Sequence, residues 1–167
     1  MNWYLKKYHW LNAHPRISKF IVYLCKTLSL LIYFAYIMTL IYLWFQKDIL
    51  QVLSFVCIPA SGFLIETMLR AKINAPRPYE VLSIPPLDPK DTKGKSFPSR
   101  HAFSAAILSI AFYTIHPYLG WVLILFSLFI GLCRILMGVH WIRDVCIGLL
   151  FGWSYGLIGF LFWHLIF

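Results

Sequence analysis

Charge is scarce in this chain. Only 13% of its 167 residues are charged, and six acidic residues stand against fifteen basic ones. A soluble domain carries roughly 25% charged residues, so a water-facing globular surface is excluded. Cysteine is sparse too: Cys25, Cys57, Cys133 and Cys146 lie in or beside apolar stretches, and no CxxC pair occurs. That argues against a disulfide framework or a cysteine metal site, and for small buried hydrophobes. A secretory leader is not evident, because residues 1–16 are too polar for a leader core and no small-residue cleavage site follows. Internal repeats and low-complexity tracts are absent. The formal charge of +9 does not read as nucleic-acid binding, since the basic residues punctuate apolar runs and leave no soluble module to carry a groove.

What the chain does have is apolar length. Hydrophobic residues make up 60% and aromatic ones 19%, and the mean hydropathy is +0.73. Apolar runs recur at residues 17–45, 49–69, 102–115, 119–137 and 145–167. A helical crossing of the hydrocarbon core takes about 20 residues, and strands of a barrel would be shorter and alternating. The fold class is therefore all-α, an integral membrane helical bundle of about five transmembrane helices in a single domain, residues 1–167. The run at 102–115 is short and spans only if residues 98–101 form its first turn. Residues 1–16 mix Trp3, Tyr4, Tyr8 and Trp10 with Lys6 and Lys7, which predicts an N-terminal amphipathic helix lying in the interface. The glycine-rich stretch from Gly148 to Phe160 suits close helix packing, within one chain in preference to between two.

Folding these spans up and down sorts the polar residues by end. Arg70, Lys72 and Arg77 close the second span, Lys95, Arg100 and His101 open the third, and Arg134, His140, Arg143 and Asp144 join the fourth to the fifth. All three groups fall at one end of the bundle. The other end has little beyond Lys47, Asp48 and His116. Between the second and third spans, residues 71–98 form one long proline-rich loop at the charged end, the kind of loop that serves as a lid or a recognition element.

The residue types at that end suit a tetrahedral anion. His140 and Asp144 are four apart, close enough for the carboxylate to hold the imidazole's tautomer. Pro98 and Ser99 precede an apolar run as helix-start residues, so the free N–H groups there, with Arg100 and His101, face something negative. Arg70, Arg77, Arg100 and Arg134 are forked donors matched to phosphoryl oxygens. Singly, each arginine reads as an interfacial cation; together with two histidines and an aspartate they point to phosphoryl transfer through histidine. A His/His/Asp metal site is the competing reading, ranked second because the cations repel a divalent ion.

At these residues the sequence resembles the type-2 phosphatidic acid phosphatase family, which shares its site with the vanadium haloperoxidases. That family reads KxxxxxxRP, PSGH and SRxxxxxHxxxD. The matching stretches are "RAKINAPRP" (Arg70 to Pro78), "PSRH" (Pro98 to His101) and "CRILMGVHWIRD" (Cys133 to Asp144). Arg70 stands at the family's lysine, with Lys72 an accessory candidate at the wrong spacing; Arg100 replaces a glycine and Cys133 a serine. The resemblance implies that His140 is the nucleophile forming a phosphohistidine, Asp144 orients it and His101 protonates the leaving oxygen. Arg70, Arg77, Ser99, Arg134 and the backbone at Arg100 would hold the phosphate, with no metal and no cofactor.

The expected substrate is a phosphorylated lipid, undecaprenyl diphosphate or phosphatidylglycerophosphate/phosphatidic acid, in the cell membrane of a bacterium. Membrane lipids are the expected partners, with no nucleic acid and no obligate protein partner. A lipid phosphotransferase and, further off, a non-catalytic anion-binding membrane protein are the alternatives. Sidedness is divided. Lys6, Lys7, Arg16, Lys19, Lys90, Lys93 and Lys95 fall on the site's side, which places it in the cytoplasm by the positive-inside rule. The resemblance instead implies an outward site and six spans, one more than this chain carries.

Overall fold

The computed structural model describes residues 2–89 and 92–167; Lys90, counted above among the cations, lies outside them. Among the described residues the chain forms seven helices: α1 (Asn2–Ala13), α2 (Pro15–Phe45), α3 (Ile49–Ile73), α4 (Pro78–Leu82), α5 (Arg100–Ile115), α6 (Pro117–Leu136) and α7 (Ile142–Ile166). Local sequence explains the boundaries. Pro15 and Pro117 occupy first-turn positions, where a missing N–H costs nothing. Asp48 caps α3 by accepting from the Gln51 N–H at 3.1 Å. Asn74 closes α3 in the left-handed conformation, its N–H donating to the Arg70 carbonyl.

Four segments are long and apolar enough to cross a membrane: α2, the stretch Ile49–Leu82 that contains α3 and α4, α6 and α7. The fifth expected span, α5, has 16 residues, about 24 Å at 1.5 Å per residue. It begins at Arg100, so residues 98 and 99 stay outside the helix. α5 is the bundle's centre. Ala102, Phe103, Ala106, Ile107, Ala111 and Phe112 are all at most 2% exposed, whereas Leu30, Phe34, Phe45, Leu64, Phe162 and Leu165 on the surrounding helices face outward. That is the inverse of a water-soluble bundle and matches an integral membrane protein.

Small residues set how closely α7 approaches α5. A Cβ at Gly148 would lie 2.8 Å from the Ser99 carbonyl oxygen, and one at Gly152 would lie 2.6 Å from the Phe103 carbonyl oxygen. The glycine stretch therefore packs within the chain, and it brings the start of α7 against the start of α5. Residues 71–98, expected as one loop, include the last turn of α3 and all of α4.

Gly152→Ala should destabilise the detergent-solubilised protein by about 1–3 kcal/mol, the usual cost of overpacking, because the clash is with backbone. At Gly159 the nearest atoms to an added Cβ belong to the Ile58 side chain, so Gly159→Ala should cost less. Equal thermal shifts for the two variants would contradict this packing.

Candidate active site

The charged end is built where α3 and α6 finish and α5 and α7 begin. The Ser99 N–H donates to the Asp144 carbonyl at 2.9 Å, fastening the two helix starts together. Ser99 occupies the N-cap position of α5 but makes no capping bond with its side chain. Its Oγ is fully buried without a hydrogen-bond partner among the described residues.

His140 lies in the turn before α7, not on the helix. Trp141 is the N-cap, and Asp144 accepts the Trp141 N–H at 3.0 Å, so the carboxylate caps its own helix. Consequently Asp144 Oδ2 is 3.7 Å from His140 Nδ1, beyond hydrogen-bond length. The atom within reach of Nδ1 is the backbone carbonyl of Ser96, at 2.8 Å. A carbonyl only accepts, so Nδ1 carries the hydrogen and Nε2 keeps a lone pair. Ser96 also connects the histidine to the carboxylate: its Oγ donates to Asp144 Oδ2 at 2.5 Å and lies 3.5 Å from His140 Nδ1. Nothing in the sequence singled out Ser96; the signal exists only after residues 44 and 48 positions apart have met.

Burial is the main influence on the His140 imidazole, with the Arg77 and Arg134 cations adding to it and Asp144 opposing; together they pull its pKa down to about 4. At neutral pH the ring is uncharged, as a nucleophile requires.

The arginines divide by what they touch. Arg70 is buried; its Nη1 donates to the Pro98 carbonyl at 2.5 Å and its Nε lies 3.5 Å from Glu66. Lys72 is exposed, as expected two residues on and about 200° around the helix. Arg77 is buried and laces the loop to the turn that carries His140, donating to the carbonyls of Gly94 at 3.0 Å and Val139 at 3.2 Å. Arg134 is buried, and its Nε has no partner among the described residues. It lines a cavity of about 330 Å³ with His101, Tyr33 and Asp88. The Arg100 side chain goes elsewhere than the sequence suggested. Its guanidinium lies 3.4 Å from Glu66, donates to Thr67 and sits 4.9 Å from the Phe63 ring, all on α3.

Glu66 is the second residue the sequence reading passed over. It is fully buried and shared by Arg70 and Arg100. An acidic residue inside an apolar span is itself a signal, and this one stands alone in α3. Among the described residues, no group of three or more His, Cys, Asp and Glu side chains is gathered for a metal.

Comparison with known proteins gives consistent results. A family model described as the PAP2 superfamily matches residues 50–166. The chain is 33% identical over 104 residues to undecaprenyl-diphosphatase BcrC of Bacillus subtilis (strain 168), covering 62% of this chain and 52% of that protein. It thus spans about half the length of the curated relative it matches. Among solved structures, LpxE of Aquifex aeolicus superposes with a TM-score of 0.71 at 25% identity, covering 94% of each chain. A PAP2-type phosphatidylglycerolphosphate phosphatase from Bacillus subtilis shares the fold, with a TM-score of 0.59 at 19% identity over 96% of this chain and 92% of that one.

Nitrogen NMR of the His140 ring should show titration near pH 4, well below the ordinary 6.5. Arg134→Gln removes a cation and should move that titration upward. A wild-type midpoint near 6.5 would contradict the buried, cation-flanked placement.

Proposed function

Because the chain belongs to the PAP2 superfamily, we propose that it is a membrane lipid phosphatase working through a phosphohistidine. The hydrogen bond from His140 Nδ1 to the Ser96 carbonyl carries this reading, since it leaves the Nε2 lone pair for attack on phosphorus. In the first step a bond forms between Nε2 and phosphorus while the bond from phosphorus to the leaving oxygen breaks. His101, at the start of α5 and lining the cavity with Arg134, gives that oxygen its proton. In the second step water attacks the phosphorus and gives a proton to His101, restoring it, while the bond from phosphorus to Nε2 breaks, Nε2 regains its lone pair and phosphate leaves.

Arg70, Arg77, Arg134, the Ser99 hydroxyl and the N–H of residue 100 hold the phosphoryl oxygens as charge spreads in the transition state. The unpartnered Ser99 Oγ and Arg134 Nε support this, because a phosphate would supply their missing acceptors. Arg100 contributes its backbone only, and Lys72 stays outside. The chemistry is assigned to protein groups alone, with neither metal nor cofactor.

The substrate in this reading is a lipid phosphate, with undecaprenyl diphosphate first and phosphatidylglycerophosphate or phosphatidic acid second, in a bacterial cell membrane. The relation to BcrC favours the diphosphate. An apolar cavity of about 470 Å³ between α2, α3 and α5 has Tyr33 in common with the Arg134 cavity. It supports a ligand with a phosphate head and a hydrocarbon chain. Residues 71–98 act as the active-site loop and residues 1–16 lie in the interface, Trp3 and Trp10 being exposed on α1.

Purified protein in detergent should release phosphate from undecaprenyl diphosphate equally with and without chelator. His140→Ala should lower turnover by at least about a thousandfold while leaving the thermal transition in place. Wild-type rates in that variant would remove the nucleophile assignment, and substrate turnover only with an added acceptor alcohol, which becomes phosphorylated while no inorganic phosphate is released, would make the protein a transferase.

A further inference from the structure

The family model begins at residue 50, so α1 lies outside it, yet α1 reaches the turn that carries His140. The Tyr4 hydroxyl is 2.5 Å from the His140 carbonyl oxygen and 3.2 Å from that of Ile135. Lys7 Nζ donates to the same Ile135 carbonyl at 2.7 Å. Tyr8, 2% exposed, lies beside Gly138, which turns the chain there with φ +75°. The Tyr4 ring is 5.4 Å from that of Trp141. Positions 4, 7 and 8 share one face of a helix, and that face covers the turn from residue 135 to residue 141.

These contacts answer a local need. The Ile135 carbonyl accepts the Gly138 N–H at 3.1 Å and has a second lone pair for a side-chain donor, and it lies at the negative end of the α6 dipole, where a cation is favourable. Lys7 supplies that cation. Burial lowers its pKa to about 8, so it is largely charged at neutral pH, and its ammonium sits 4.1 Å from the Tyr4 ring centre. Burial, with Asp144 adding, raises the Tyr4 pKa, so the phenol keeps its proton. The His140 ring is held at Nδ1 by Ser96, while its backbone is held at the carbonyl by Tyr4.

We propose that α1 is a clamp on the catalytic turn, with Tyr4 and Lys7 as positioning residues that hold His140 in line with the phosphorus. The proposal rests on the phosphatase reading of the site. Neither residue touches the phosphate. Both act through the backbone of residues 135–141.

The test uses the full chain with Tyr4→Phe, Lys7→Met, the double substitution, and Lys7→Arg as the conservative control. Two quantities are read: kcat and KM on undecaprenyl diphosphate, and hydrogen exchange of the backbone amides in residues 135–141. The double variant should lose about tenfold or more in kcat, the scale of a displaced catalytic group, with KM within about twofold and exchange in the turn faster. Lys7→Arg should restore most of both. The clamp is overturned if kcat is unchanged, or if kcat falls while exchange in the turn stays at the wild-type rate. Wild-type protein inactive on every lipid phosphate, with exchange still responding to Tyr4→Phe, would retire the phosphatase reading and leave α1 gripping the turn.

Discussion

A single hydrogen bond decides what His140 can do. Its Nδ1 lies 2.8 Å from a backbone carbonyl, an acceptor that cannot reverse its role or be titrated away. A carboxylate in that place would exchange protons with the ring more readily, whereas a peptide carbonyl fixes the tautomer at any working pH. The carboxylate stands one residue further back. Asp144 receives the Ser96 hydroxyl and the Trp141 N–H, and its charge lies near enough to favour the imidazole ring once a phosphoryl group makes it cationic. Ser96 therefore carries two tasks with two atoms, its carbonyl facing the histidine and its hydroxyl the aspartate.

Around that bond, the structure keeps four arginines at one helix-rich end of a membrane bundle, Arg70, Arg77 and Arg134 buried and Arg100 partly exposed. Each is balanced in its own way. Arg70 and Arg100 share Glu66, a fully buried carboxylate that would be costly without them. Arg77 donates to carbonyls of the loop and of the turn that carries His140. Arg134 is left with an unpartnered Nε beside the His101 cavity, the arrangement expected of a donor whose acceptor is a ligand. Removing Glu66 would leave the buried Arg70 guanidinium without its carboxylate, so this acidic residue supports the charged end of the bundle.

Much of this was legible from residue order. Apolar length marked the spans, and Pro98–Ser99 marked the start of α5, because hydrophobic transfer and helix capping act locally. The preference for Arg70 over Lys72 followed from spacing, and the two do point to different faces of α3. What spacing could not reveal was how the loop folds back. The four-residue separation of His140 and Asp144 suggested a direct pair on a helix. The helix starts two residues after His140, with Trp141 as its N-cap and Asp144 capping it. Ser96 looked like an ordinary loop serine, and Arg100 like a phosphate ligand, since neither Glu66 nor the Phe63 ring is near it in sequence. Tyr4 and Lys7 read as an interfacial helix's aromatic and cation, and their contacts with residues 135 and 140 arise only from tertiary structure.

The geometry makes one chemical commitment that can be read atom by atom. In the reaction we propose, the phosphoryl group attaches to Nε2 of His140, because Nδ1 is occupied by its hydrogen bond to Ser96. Phosphorus–nitrogen correlation NMR on nitrogen-labelled protein, quenched in alkali during steady-state turnover, distinguishes the two ring nitrogens. The account predicts a phosphorus signal coupled to Nε2. A signal on Nδ1, or on any other residue, would contradict it.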